Sequence, residues 1–246
     1  MEKIFYRKKS NHKSLIITLI IVLALLVSLS AYYFYKPKVL GVTTKNSLPY
    51  NKIKAESEVK AEPPESFQLQ VPFVCQAPFA NWDVHEDSCE EAAILMDYSY
   101  IEGKPLSPEY ADKEFLVMRG WQRDHYGQEK DMTCAEAAKF TNDYYGYKNS
   151  QSFNNITATD IKRQISSGNL VIVPVMTHSL LNPHYGAKSV YHFVLIKGYN
   201  KEGVITNDAG VKEGESYFYP WEVIFSAIDA QTPKMGQGRS MLVIKK

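Results

Sequence analysis

Hydrophobic and polar positions divide the 246-residue chain into three stretches of different character. Residues 15–34 include no charged side chain, and residues 36–66 are mostly polar with little apolar periodicity. Beyond them, apolar residues recur first at helical spacing and later at strand spacing. We therefore expect an apolar segment, a linker and one folded domain, since the remainder is long enough for one core but short for two.

The apolar segment has the length and the flanks of a membrane-spanning helix. Its twenty uncharged residues match the roughly 30 Å of hydrocarbon that a helix must cross. Five basic residues precede it and only Lys36 and Lys38 follow closely, which predicts a cytoplasmic N-terminus. The expected order is a basic tail at 1–14, a signal-anchor helix at 15–35, an extracytoplasmic linker at 36–66 and a domain at 67–246.

A cleavable signal peptide is the alternative interpretation of this N-terminus. Ser28 and Ser30 are small residues that suit a cleavage site. The length of the apolar run and the aromatic residues at 32–35 favour an uncut, single-pass anchor in the cell membrane. In both cases the domain is exported, and a cut anchor would release it as a secreted protein.

Within the domain, the pattern predicts helices first and strands later. A short strand and a loop are expected at 69–79, followed by a helix from Cys89, because Ser88 and Glu91 fit an S-x-x-E capping box before an apolar stripe. Further helices are predicted at 107–118, 133–145, 159–167 and 221–228, and strands at 170–176, 191–199, 203–208, 215–219 and 240–245. This order indicates an α+β fold with a mostly antiparallel sheet.

Composition narrows the possible partners and cofactors. With 28 basic and 27 acidic residues, the chain has no field that would favour nucleic acid, so no nucleic-acid partner is expected. The three cysteines leave two states open, a Cys75–Cys134 disulfide or three free thiols. A metal site from these cysteines and His85 lacks C-x-x-C or H-E-x-x-H spacing, and we expect neither metal nor cofactor.

Cys89 is the first candidate for chemistry. The start of a helix favours a thiolate, because unpaired N–H groups and the macrodipole stabilise negative charge there. Glu90 and Glu91 oppose a thiolate, so a nearby imidazolium is needed.

His192 and Asp208 are the candidates for completing the site. His192 opens the predicted strand 191–199 and Asp208 closes the next one, and neighbouring strands bring such side chains together. Asp208 would orient His192, which would polarise Cys89, with Asn207 as the fallback for the orienting role. Gln76, in the loop before the helix, is positioned in sequence to donate its amide to an oxyanion.

Four segments in this order resemble the peptidase C39-like family of papain-like cysteine peptidases: VPFVCQAPF, DSCEEAA, YHFVLIKGYN and ITNDAG. The resemblance covers about 70–210 and implies a papain-like fold, with a cysteine-bearing helix packed on an antiparallel sheet that carries the histidine. It implies that Cys89 is the nucleophile, His192 the base, Asp208 the orienting residue and Gln76 the oxyanion donor. Glu90 departs from the pattern, since many members have glycine there, and the spacing from Gln76 to Cys89 is longer than usual.

The expected function is hydrolysis of peptide or isopeptide bonds outside the membrane through a Cys-His-Asp triad, with a peptide or protein as substrate. A related thiol amidase or acyltransferase would use the same residues. A binding module that keeps the papain-like fold without turnover is the alternative of a different class.

Overall fold

A computed structural model describes residues 62–246, in which one sheet of seven strands has only antiparallel pairings. The strands are β1 (Phe67–Gln68), β2 (Gln151–Asn154), β3 (Val171–Met176), β4 (Tyr191–Tyr199), β5 (Gly203–Asn207), β6 (Tyr217–Pro220) and β7 (Ser240–Val243). The order is β2-β7-β3-β4-β5-β6, and β1 pairs with the end of β4. The predicted mixed fold with an antiparallel sheet is thereby confirmed.

Helices cover the two faces of this sheet. They are α1 (Trp82–His85), α2 (Cys89–Glu102), α3 (Pro108–Tyr126), α4 (Cys134–Tyr145), α5 (Ala158–Ser166), α6 (Trp221–Ala230) and α7 (Thr232–Met235), with 3-10 turns at Thr177–Leu180 and Pro183–Tyr185. Phe193 and Leu195 of β4 belong to the core that contains α2. Val194 and Ile196 belong to the core that contains α5 and α6. Alternate residues of β4 therefore enter opposite cores, as the period of a strand requires.

Helix α2 is buried on every side in its middle. The five residues from Ala92 to Met96 have no solvent exposure, so the helix is enclosed rather than amphipathic. Three carboxyl groups on the same helix, those of Glu90, Glu91 and Asp97, are buried with it. Burial of this kind fixes the helix rigidly and holds Cys89, its first residue, against β4.

Two predicted elements differ from the structure for local reasons. The short strand expected within 69–79 lies instead just before that stretch, at Phe67–Gln68, because Pro72 lacks an N–H group and cannot carry a ladder through 69–79. The helix expected at 107–118 continues to Tyr126 and ends at Gly127, whose φ of 76° is a left-handed cap. β2 was not predicted, because its two end residues are exposed and the segment does not show the alternation of buried and exposed residues that is typical of a strand.

The predicted capping box at the start of α2 is wrong, although the helix does begin at Cys89. Ser88 is the N-cap residue but makes no side-chain cap hydrogen bond. Its hydroxyl lies 3.1 Å from Nδ1 of His85, and Glu91 accepts from Gln122 at 2.5 Å. The Ser88 hydroxyl is thus used by a residue three positions back, and the Glu91 carboxylate by a residue of α3. True capping boxes occur instead at the starts of α4 and α5.

The predicted anchor at 15–35 lies outside the described residues, as does the linker up to residue 61. Among residues 62–246, no helix has the length and apolar character required to cross a bilayer.

Candidate active site

Cys89 lies at the N-terminus of α2 with 4% of its surface exposed. Its thiol donates to Oε2 of Glu90 at 2.8 Å. Burial raises the pKa of the thiol well above its ordinary value, and the charge of Glu90 adds to the effect, while the Phe193 backbone N–H acts in the opposite direction. In this arrangement the sulfur is a neutral thiol.

His192 and Asp208 are joined by a short hydrogen bond. Nε2 of His192 lies 2.8 Å from Oδ1 of Asp208, which directly follows β5, just beyond the last β4–β5 pair of Leu195 with Asn207. This contact leaves Nδ1 as the ring nitrogen that Asp208 does not engage. Within residues 62–246 no hydrogen bond joins Cys89 to His192, but both line the same pocket.

Asp208 is fully buried and accepts four hydrogen bonds. Besides His192, the donors are the Tyr185 hydroxyl at 2.6 Å, the Gly210 N–H at 3.1 Å and the Tyr219 hydroxyl at 2.6 Å. Burial alone would raise the pKa of Asp208, but the charge of a protonated His192 and the hydrogen bonds outweigh it and hold the pKa below its usual value. The carboxylate is therefore stable as an anion that can orient and support an imidazolium.

Two glycines allow the chain to pass close to this pair. A Cβ atom on Gly210 would lie 2.2 Å from the Tyr185 hydroxyl and 2.9 Å from Cε1 of His192. A Cβ atom on Gly214 would lie 1.8 Å from the carbonyl oxygen of Asp208. Neither site has room for a side chain, so both glycines are required by the packing around His192 and Asp208.

Gln76 is buried at the pocket but its amide is already engaged. Nε2 donates to the carbonyls of His85 at 3.0 Å and Glu86 at 2.9 Å, which uses both amide hydrogens. Its Oε1 is buried and has no hydrogen-bond partner within residues 62–246. Donation to an oxyanion would require Gln76 to release one of the carbonyls.

Asn207, the fallback for the orienting role, has other partners. Its Nδ2 donates to the carbonyls of Val71 and Pro72 at 3.4 and 3.1 Å, and its Oδ1 accepts from the N–H of Ser216 at 3.2 Å. These contacts tie β5 to the segment that leads to Gln76, and none of them involves His192.

A second histidine, His85, is completely buried beside the site. Nε2 of His85 lies 3.0 Å from Oδ1 of Asp112, and its Nδ1 lies 3.1 Å from the hydroxyl of Ser88. Because Ser88 directly precedes Cys89, this chain of contacts fixes the backbone at the start of α2. The sequence around Ser88 does not indicate these contacts, because Asp112, the partner of His85, lies on α3.

The pocket that contains Cys89 and His192 has a volume of about 250 Å³. Trp82 and Tyr185 contribute aromatic surface to it. Two ion pairs stand at its rim, Lys188 with Glu86 and Lys234 with Asp131, the latter at 2.6 Å. Both pairs are exposed enough that each contributes little to stability.

The other two cysteines, Cys75 and Cys134, do not line this pocket. All three cysteines are free, so the Cys75–Cys134 disulfide is not formed. Burial raises the pKa of Cys134 to about 12 and, less strongly, that of Cys75. Among residues 62–246, no three His, Cys, Asp or Glu side chains are grouped as a metal site would require.

The fold and the site together define an α+β protein with a cysteine, a histidine and an aspartate around one pocket. The chain belongs to the Peptidase_C39 like family, whose model matches residues 68–230. No curated protein matches the chain. Among solved structures, it is similar to the "putative C39-like peptidase from Bacillus anthracis", at 14% identity and a TM-score of 0.49, over 74% of this chain and 99% of that one. The match to the family model confirms the predicted family.

Proposed function

We propose that the chain is a papain-like cysteine peptidase that hydrolyses peptide or isopeptide bonds. The observation that carries the proposal is the hydrogen bond between His192 and a buried, ionised Asp208, in a pocket that also contains the first residue of a helix, Cys89. Membership of the family supports the same chemistry.

In the proposed mechanism, Nδ1 of His192 takes the thiol proton and the sulfur of Cys89 attacks the carbonyl carbon of the substrate. The oxyanion that forms is stabilised by the backbone N–H of Cys89, together with Gln76 once its amide releases a carbonyl. His192 then gives the proton to the leaving amine, and water hydrolyses the thioester with His192 as base. Asp208 keeps the imidazole in one tautomer and supports its positive charge throughout. No cofactor takes part.

Turnover of a peptide library by the full-length chain tests this proposal. Cys89→Ala should lower kcat/KM by at least about a thousandfold, because it removes the nucleophile. Cys75→Ala is the matched control, since Cys75 is a thiol of the same domain that does not line the pocket. Equal turnover by Cys89→Ala and wild type would overturn the proposal. Adding a free amine distinguishes an acyltransferase, which would join the amine to the acyl group in place of water.

We also propose that residues 15–35 tether the domain to the outer side of the cell membrane. The uncharged run and the basic residues before it support this orientation. A reporter fused after Lys246 should be active only outside the cytoplasm, and cytoplasmic activity would reject the orientation. Alkaline carbonate should leave an uncut anchor in the membrane fraction and release a cleaved domain.

One contact favours a second candidate, a binding module without turnover. The Cys89 thiol donates to Glu90 and makes no hydrogen bond with His192 within the described residues, which is the arrangement of an unactivated sulfur. Such a module would retain a peptide that it does not cleave. Binding of library peptides by wild type, with neither turnover nor a thioester intermediate, would favour it over the peptidase.

A further inference from the structure

Glu90 touches the proposed nucleophile, yet the mechanism above gives it no role. Only 3% of its surface is exposed. Its Oε2 accepts from the Cys89 thiol at 2.8 Å, and its Oε1 accepts from the N–H of Met132 at 3.0 Å. Because the two oxygens have different partners, the carboxylate is fixed with one oxygen on the sulfur.

Met132 is held from a second direction, which makes the position of Glu90 harder to change. The Tyr191 hydroxyl donates to the Met132 carbonyl at 2.7 Å and accepts from Gln237 at 3.0 Å. Glu90 follows the nucleophile and Tyr191 precedes His192, so one peptide segment joins the two sides of the site. Turning Glu90 away from the sulfur would leave a buried N–H group without its acceptor.

We propose that Glu90 controls the proton on Cys89, holding the sulfur as a neutral thiol before substrate binds. This rests on the proposed function, in which Cys89 is the nucleophile. Thiolate formation moves one proton from sulfur to Nδ1 of His192 and leaves a negative sulfur against the Glu90 carboxylate. Glu90 therefore acts through Cys89 as a positioning residue that restrains its reactivity.

The groups around Glu90 do not neutralise it. On α2 its neighbour Glu91 is also acidic, and burial, followed by the charge of Glu90, raises the pKa of Glu91 to about 8. Asp131, in the loop before α4, faces Glu90, and so does the neutral Tyr191 of β4. Lys234 lines the same pocket as Cys89 but is paired with Asp131. Burial raises the pKa of Glu90 itself, while the hydrogen bonds from the Cys89 thiol and the Met132 N–H lower it and favour the anion. Among residues 62–246, no ion pair includes Glu90, so no cationic side chain offsets its negative charge beside the sulfur.

Glu90→Gln is the informative variant because it keeps the shape of the site. One amide oxygen can still accept from Met132, while the NH₂ group replaces an anion by a donor next to the sulfur. Glu91→Gln is the matched control. It removes a buried carboxylate one residue further along, which accepts from Gln122 and does not touch the sulfur.

The experiment measures the rate of iodoacetamide alkylation at Cys89 against pH in the full-length chain, by mass spectrometry of the peptide that contains it. Glu90→Gln should lower the midpoint of this rate–pH profile by about one pH unit or more. The reason is that the variant removes a unit charge in van der Waals contact with the sulfur in a buried site. At pH 7 its rate should rise about threefold or more, because the gain in thiolate exceeds the loss of nucleophilicity. Glu91→Gln should shift the midpoint much less.

An unchanged or raised midpoint in folded Glu90→Gln would overturn the proposal, as would an equal shift in Glu91→Gln. If Glu90→Gln does not fold, Glu90→Asp decides, because the shorter side chain withdraws its charge from the sulfur. A lower midpoint for Glu90→Asp than for wild type then supports the proposal, and an equal or higher midpoint rejects it. The titration requires no substrate, so its failure is distinct from failure of the peptidase proposal, which Cys89→Ala tests by turnover.

Discussion

The Tyr185 hydroxyl and Nε2 of His192 donate to the same oxygen of Asp208, at 2.6 and 2.8 Å. The two rings also meet nearly edge to face, with centroids 5.7 Å apart. Tyr185 thus fixes both the carboxylate that supports His192 and the imidazole itself. Tyr219 donates to the other oxygen of Asp208 but does not line the pocket.

These positions predict different effects for two tyrosine variants. Tyr185→Phe removes a hydrogen bond to the Oδ1 atom that holds His192, and we expect kcat to fall about tenfold, in keeping with the roughly 1.5–3 kcal/mol of a hydrogen bond to a charged group. Tyr219→Phe also strips Asn182 of its acceptor, at 2.7 Å, and should mainly lower the free energy of unfolding, by about 1–3 kcal/mol. Peptide turnover and urea unfolding of both variants would show the contrast, which the reverse order of effects would contradict.

A methyl group at Gly210 should disturb the site directly. Gly210→Ala would force its Cβ against Tyr185 and His192, and since neither neighbour can retreat without breaking its bond to Asp208, we expect turnover to fall by at least about tenfold. Gly238→Ala is the control, because its Cβ would meet nothing within 4 Å. Equal turnover by the two variants would mean that the loop at Gly210 moves aside freely.

How far the sequence predicts this site depends on how local each feature is. The start of α2 at Cys89 follows from the apolar stripe that comes after it, and the proximity of His192 and Asp208 follows from two strands joined by a short turn. The family resemblance carried by those segments is confirmed. Roles in catalysis remain predictions for all of these residues.

The contacts that sequence could not supply come from distant segments. Tyr185 lies on a 3-10 turn and Tyr219 on β6, and no spacing relates either of them to Asp208. His85 resembles a surface residue until α3 brings Asp112 against it. The capping box failed because the Ser88 hydroxyl contacts His85, three residues earlier, and accepts from Arg119 of α3 at 3.5 Å.

Asp97 predicts how stability depends on pH. Both of its carboxylate oxygens are buried without a partner in the described part of the chain, and burial raises its pKa well above the ordinary 3.8. The unfolded chain releases this proton near pH 4 whereas the folded chain retains it. The contribution of Asp97 to the free energy of unfolding therefore declines as pH rises from about 4 towards the raised pKa, by up to about 1.4 kcal/mol per unit.

Asp97→Asn should remove this decline and make the domain more stable than wild type at pH 7. Urea unfolding at several pH values checks it, with the exposed Asp124→Asn as a control expected to change stability by less than about 0.5 kcal/mol. A variant with the same slope against pH as wild type would show that another group governs the dependence.

Gln76 offers the sharpest test of the oxyanion assignment, because its amide has two possible uses. As a loop anchor it satisfies the carbonyls of His85 and Glu86, and as an oxyanion donor it must give up one of them. Gln76→Ala should lower the free energy of unfolding by about 1–3 kcal/mol in either case, since a buried carbonyl loses its donor.

Only the donor role adds a kinetic effect to Gln76→Ala. Loss of an oxyanion donor should reduce kcat by about a hundredfold with KM little changed, because the contact forms in the transition state and not with bound substrate. Kinetics at a temperature where the variant is fully folded separate the two roles. A variant that is less stable but turns over at the wild-type kcat would assign Gln76 to the loop alone and leave the Cys89 backbone N–H as the donor at this site.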